Sequence, residues 1–213
     1  MGNLFSIDGP LWNFTNKILQ FLWLSLLWAF CSLPIVTIGA STTALYTVML
    51  AIIREQEGYL TSSFFRAFKV NFRQGTALWG FQVLAGILLL TDLAVYFRST
   101  RTDAAAFLLM LLFFSVLVVF LFLFTWAYGI LAKFDNTTRR ILRNSLIMSI
   151  CSWPSSLLML IAGFAVAAVG FLWFPPLLFI TPALLAWINS HFFSRAFQKY
   201  LPASRQVTPE YEQ

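Results

Sequence analysis

The chain has 213 residues, 60% of them hydrophobic and only 10% charged, with a net charge of +6 and a mean hydropathy of +0.80. Soluble domains carry about 25% charged residues, and the basic groups here sit between apolar runs, where they meet anionic headgroups, so neither a soluble domain nor a nucleic-acid partner is expected. The runs are continuous, as from Ala104 to Ala132, without the alternation of a membrane barrel, and predict an all-α, polytopic transmembrane helical bundle.

In chain order, residues 3 to 16 are mixed. Asp8-Gly9-Pro10 signals a turn, and Leu11, Trp12 and Phe14 suit a membrane interface. No basic residue precedes Lys17, and no small-residue cleavage site follows Leu27, so a cleaved leader is not expected. The first membrane helix is predicted from Lys17 to Leu33. It runs into CSLPIVTIGASTTALY, from Cys31 to Tyr46. An unbroken helix from Ile18 to Ile53 would measure about 54 Å, against about 30 Å of hydrocarbon. Pro34 ends a helix, and Gly39 permits backbone angles that other residues resist. Thr37 and Ser41 supply hydroxyls for the freed backbone groups. A tight transmembrane hairpin is therefore expected, with Pro34, Thr37, Gly39 and Ser41 as its structural turn. Broken membrane helices also line ligand sites, which is the alternative use of this break. The second helix follows from Ala40 to Arg54.

Residues 55 to 75 are expected to leave the membrane. Within them Phe64, Phe65, Phe68 and Phe72 fall in one arc of about 100° on a helical wheel, and Arg66, Lys69 and Arg73 in a neighbouring arc. This predicts a lateral amphipathic helix over 61–74, lying in the interface. A third membrane helix is predicted from Thr76 to Phe97 and a fourth from Ala104 to Lys133, with a polar turn between Arg98 and Asp103. Asp135-Asn136-Thr137-Thr138 is a turn and cap cluster. The fifth helix is expected from Ser145 to Trp173 with a kink at Pro154. The sixth follows Pro175-Pro176, from Leu177 to Phe197, bent at Pro182. Residues 1–201 form a single membrane domain on this reading, and the polar tail 202–213 is expected to be disordered.

With six helices, one face carries Lys17, Arg54, Arg66, Lys69, Arg73, Lys133, Arg139, Arg140, Arg143, Arg195, Lys199 and Arg205, and the other only Arg98 and Arg101. The positive-inside rule then places both termini in the cytoplasm. A single helix across the Pro34 region gives the five-helix alternative, which moves only the N-terminal segment to the other side. Phe65-Arg66-Ala67-Phe68-Lys69 is echoed by Ser194-Arg195-Ala196-Phe197-Gln198-Lys199. Two interfacial segments would independently need such residues, and a duplicated three-helix unit is the alternative reading.

Candidates for chemistry are few. His191 is the single histidine, beside Asn189 and Ser190, and reads as a polar cluster bonded to nearby backbone. Asp92 lies near Arg98 and reads as paired or snorkelling. Gln20 and Gln82 are expected to bond across helices. Cys31 and Cys151 lie in apolar runs as small hydrophobes. Hydrolase, metalloprotease and phosphate-binding motifs are absent from the sequence. No catalytic residues, cofactor or metal site are predicted, and the chain is not expected to be an enzyme. The aromatic residues read as interface belts.

The stretch Leu33 to Tyr46 (LPIVTIGASTTALY), the stretch Phe64 to Gln74 (FFRAFKVNFRQ) and the opening NLFSIDGPLWNF resemble the YesL family of small bacterial integral membrane proteins. That resemblance implies a bacterial cytoplasmic membrane location and a role beside carbohydrate ABC importers. It defines no catalytic residues. The expected function is thus a non-catalytic accessory or regulatory membrane protein. A small-molecule (sugar) transporter or channel is the alternative. The expected partners are the lipid bilayer and ABC permease or ATPase subunits, met through Phe64, Phe65, Arg66, Phe68, Lys69, Phe72 and Arg73.

Overall fold

The structure is a computed structural model that describes residues 10–54, 59–99, 104–134, 136–172 and 180–200. The tail 202–213, the turn at Pro175-Pro176, Asp8-Gly9 and most of the turn after Arg98 lie outside them. Every regular element among the described residues is helical: α1 (Pro10–Cys31), a 3-10 turn (Ile35–Thr37), α2 (Ile38–Ile53), α3 (Leu60–Ser99), α4 (Ala104–Lys133), α5 (Thr138–Cys151), α6 (Trp153–Leu172) and α7 (Thr181–Tyr200).

Three of the described prolines sit where the missing N–H costs nothing. Pro10 opens α1, Pro154 is the second residue of α6, and Pro182 the second of α7; the first helical turn has no intrahelical acceptor for those donors anyway. Pro182 therefore starts a helix and does not bend one. The expected fifth helix is two helices, α5 and α6, separated at Ser152, whose N–H still reaches Met148 O at 2.9 Å.

The largest departure concerns residues 61–74. They form no separate lateral helix but the first part of α3, a 40-residue helix that continues through Gln74-Gly75-Thr76. A lone glycine costs a helix about 1 kcal/mol relative to alanine, too little to break a segment packed along one side. At about 1.5 Å per residue α3 is about 60 Å long, twice the hydrocarbon thickness.

The core is built around α2. Ala40, Ala44, Leu45, Val48 and Met49 on this helix are almost completely buried, and α2 packs against α1, α3, α4 and α7. The register follows from individual contacts. Gly39 of α2 lies against Gly75 of α3. Thr47 Oγ1 is 3.4 Å from Ala132 O of α4. The Tyr46 ring meets the Phe193 ring of α7 at 5.4 Å. The second half of α3 runs antiparallel along α4, through Phe81–Phe124 at 6.2 Å and Tyr96–Phe113 at 5.3 Å. That antiparallel pair runs on past the N-terminal end of α2, and most of its large apolar side chains are exposed.

Among the described residues, four helical stretches are long and apolar enough to cross a membrane: Ile35–Ile53, Leu60–Arg98, Ala104–Lys133 and Trp153–Gly170. On this ground the chain is a membrane protein, all-helical in the regular elements of its described residues. Of the six crossings expected, α1 and α7 are not in that set.

Candidate functional site

The turn between α1 and α2 is made by neutral groups. Ser32 N donates to Trp28 O at 2.9 Å at the end of α1. Pro34 is extended (φ −73°, ψ 109°), and Thr37 N donates to Pro34 O at 2.9 Å, closing the 3-10 turn. Thr37 Oγ1 lies 2.5 Å from Cys31 O and 2.6 Å from Pro34 O. Its one O–H proton is shared between Cys31 O, at the end of α1, and Pro34 O, which also accepts from Thr37 N. Ser41 does something else. Its hydroxyl donates to Thr37 O at 2.8 Å, one turn back, as Thr43 does to Gly39 O. Residues 32–43 hold no charged side chain, so the turn can offer hydrogen bonds but no acid or base.

Gly39 has a different role from the one its place in the turn suggests. It is helical, in the first turn of α2. A Cβ there would stand 2.1 Å from Gly75 O and 2.8 Å from Trp79 Cβ, and a Cβ on Gly75 would stand 2.8 Å from Ala40 Cα. Two glycines thus let two helix backbones touch, the small-residue packing that drives helix association where apolar contact gives no net gain.

The same crossing orients the first half of α3. Phe64, Ala67, Asn71, Gly75 and Leu78 are buried, at a helical spacing that faces α2. Asn71 Nδ2 donates to Ala67 O at 3.0 Å. The four phenylalanines therefore divide. Phe64 is wholly buried, Phe68 packs partly on the core, and Phe65 and Phe72 are exposed. Arg66, Lys69 and Arg73 are exposed on the adjoining face. Trp23 Nε1 of α1 donates to Thr61 Oγ1 at 2.9 Å, fixing the start of α3.

Polar side chains in the bundle tie helices together. Tyr128 donates to Gln82 Oε1 between α4 and α3. Trp126 Nε1 donates to Ser156 Oγ at 2.8 Å between α4 and α6. Asn189 Nδ2 donates to Tyr46 OH at 2.9 Å between α7 and α2. Such bonds contribute roughly 0.6–2 kcal/mol each within a membrane. Asn189 Oδ1 and Ser190 Oγ are buried without a partner. His191 Nδ1 is 3.1 Å from Trp187 O, and its ring meets the Trp187 ring edge-on at 4.6 Å. Lys133 Nζ lies over the Phe197 ring at 4.6 Å. Among the described residues no three His, Cys, Asp or Glu side chains are grouped. Sequence reasoning missed Gly75, Tyr46, Gly129 and Phe193. A glycine within a long helical pattern, matched by a large aromatic elsewhere, was the available signal for the last two.

Residues 21–93 match a family described as Protein of unknown function, DUF624. The match runs from α1 through the turn and α2 into the second half of α3, and contains Leu33–Tyr46 and Phe64–Gln74 but not the opening NLFSIDGPLWNF. A relative, the uncharacterized protein YteU of Bacillus subtilis (strain 168), is 27% identical over 159 residues, which cover 71% of this chain and 69% of that protein. No solved structure matches.

Proposed function

We propose that this chain is a non-catalytic accessory protein of a bacterial cytoplasmic membrane, a member of the YesL-like group, that docks onto a carbohydrate ABC importer through the first half of α3. The observation behind this reading is the division of that half-helix. One face is buried at Phe64, Ala67 and Asn71 and meets α2 at Gly75; the other presents Phe65 and Phe72 beside Arg66, Lys69 and Arg73. Exposed aromatic rings supply contact area at low conformational cost, and adjoining guanidinium groups supply specificity toward acidic partners. A helix fixed on its opposite face presents both without further ordering. A non-catalytic role agrees with polar groups engaged between helices, as in Tyr46–Asn189 and Trp126–Ser156.

The test is a detergent pull-down from cells expressing the importer, with the wild type and a Phe65→Ala, Phe72→Ala double variant. Both side chains are exposed, so the double variant should accumulate normally. Permease or ATPase subunits should be retained by the wild type and lost by the variant. No retention by the wild type removes the partner. Equal retention moves the docking site elsewhere. Uptake of sugar by the purified protein alone in liposomes would favour a carrier.

A further inference from the structure

We infer that the layer of helices around α2 sits on the cytoplasmic side of the membrane, and that the hydrocarbon is crossed by the α3–α4 pair beyond it. The Pro34 turn then faces the cytoplasm and not the outside. The register of α2 on α3 fixes which residues lie level with one another. These helices are antiparallel, and Gly39 at the start of α2 meets Gly75. The part of α3 beside α2 is therefore the part before Gly75, which exposes Arg66, Lys69 and Arg73. On α4, the level of Thr47 is Ala132. Packed on α4, α5 exposes Arg139, Arg140 and Arg143.

Suppose α2 crossed the bilayer with the Pro34 turn outside. Arg73, two residues from Gly75, would then lie level with the outer headgroups. Lys69 and Arg66 would face lipid inside the hydrocarbon. Isolated charges in hydrocarbon are strongly disfavoured, and snorkelling relieves them only near a helix end.

The other half of the molecule has the opposite character. Thr76–Phe97 is 22 residues, about 33 Å, which matches a hydrocarbon core of about 30 Å. Asp92 is its only charged residue, and Arg73 and Arg98 bound it. No charge occurs in α4 before Lys133. Leu84, Leu88, Leu108 and Leu112 are more than half exposed, as lipid-facing side chains are. Burial separates the layers further. Of α2's most apolar window 61% is buried in protein, against 6% for the corresponding windows of α3 and α4. The apolar composition of α2 is thus accounted for by its neighbours and needs no lipid. Leu33, Ile35 and Val36, exposed at the tip of the turn, would enter the headgroup region from the cytoplasmic side. The excess of cations in the α2 layer makes that side cytoplasmic.

The experiment is thiol labelling in a Cys31→Ala, Cys151→Ala background, with single replacements Leu33→Cys, Val36→Cys, Ser62→Cys and Ser99→Cys. An impermeant maleimide is applied to intact and to permeabilised bacteria, after each variant is shown to accumulate and to elute as the wild type does. Ser99→Cys should react in intact cells. Leu33→Cys, Val36→Cys and Ser62→Cys should react only after permeabilisation. Reaction of Leu33→Cys or Val36→Cys in intact cells overturns the inference, and so does absence of reaction in both states. Failure of Ser99→Cys to react in intact cells removes the α3–α4 crossing. The two turn positions are independent, so either decides if the other variant does not accumulate. None of these outcomes depends on the importer partner.

Discussion

Gly39→Ala adds one methyl group and tests how α2 meets α3. The new Cβ would stand 2.1 Å from Gly75 O and 2.9 Å from Gly75 C. Ordinary contact needs more than 3 Å, so the shortfall is about 1 Å, and the obstacle is backbone, which has no rotamer to change. Overpacking of this kind costs about 1–3 kcal/mol, and a rigid obstacle belongs at the upper end. Alanine returns up to about 1 kcal/mol of helix propensity. The expected net loss is about 2 kcal/mol, or about 4–8 °C in melting temperature for a chain of this size. Gly80→Ala is the matched control, because a Cβ at Gly80 meets nothing within 4 Å; propensity alone should raise stability there by up to about 1 kcal/mol. The assay is thermal unfolding of both purified variants in one detergent, beside the wild type. If Gly39→Ala melts at or above the wild type, the two backbones do not touch as described and the register built on them fails. The bulkier Gly39→Val should be worse still, because of Gly75 and not because of turn geometry.

Two further predictions concern the core. A Cβ on Gly129 would lie 2.3 Å from the Phe193 ring, so Gly129→Ala should cost about 1–3 kcal/mol; adding Phe193→Leu should recover part of that loss, and purely additive losses in a double-mutant cycle would refute the contact. Asn189→Leu should cost about 1–3 kcal/mol by leaving the buried Tyr46 hydroxyl without its partner. The Asn189→Leu, Tyr46→Phe pair should be milder than Asn189→Leu alone, and an equal or larger loss in the same melting assay would remove that bond from the account.

The sequence by itself determined the class of the molecule. Continuous apolar runs with 10% charge leave only membrane helices, because composition and local period act before any packing. It also placed α4 over Ala104–Lys133 and the break at Pro34, since proline and uniform apolarity are local signals. Tertiary structure decided the rest. The wheel grouped Phe64 with Phe65, Phe68 and Phe72, but the face that packs is set by where the partner backbone can approach, at Gly75. Gly39 read as a turn residue because a glycine after Pro-Ile-Val-Thr-Ile has the same local meaning whether its freedom is used for φ or for closeness. Only the position of Gly75 on another helix distinguishes the two. The burial of α2 in protein was hidden for the same physical reason. An apolar helix has one composition whether lipid or protein covers it, and only the neighbours packed around α2 show which.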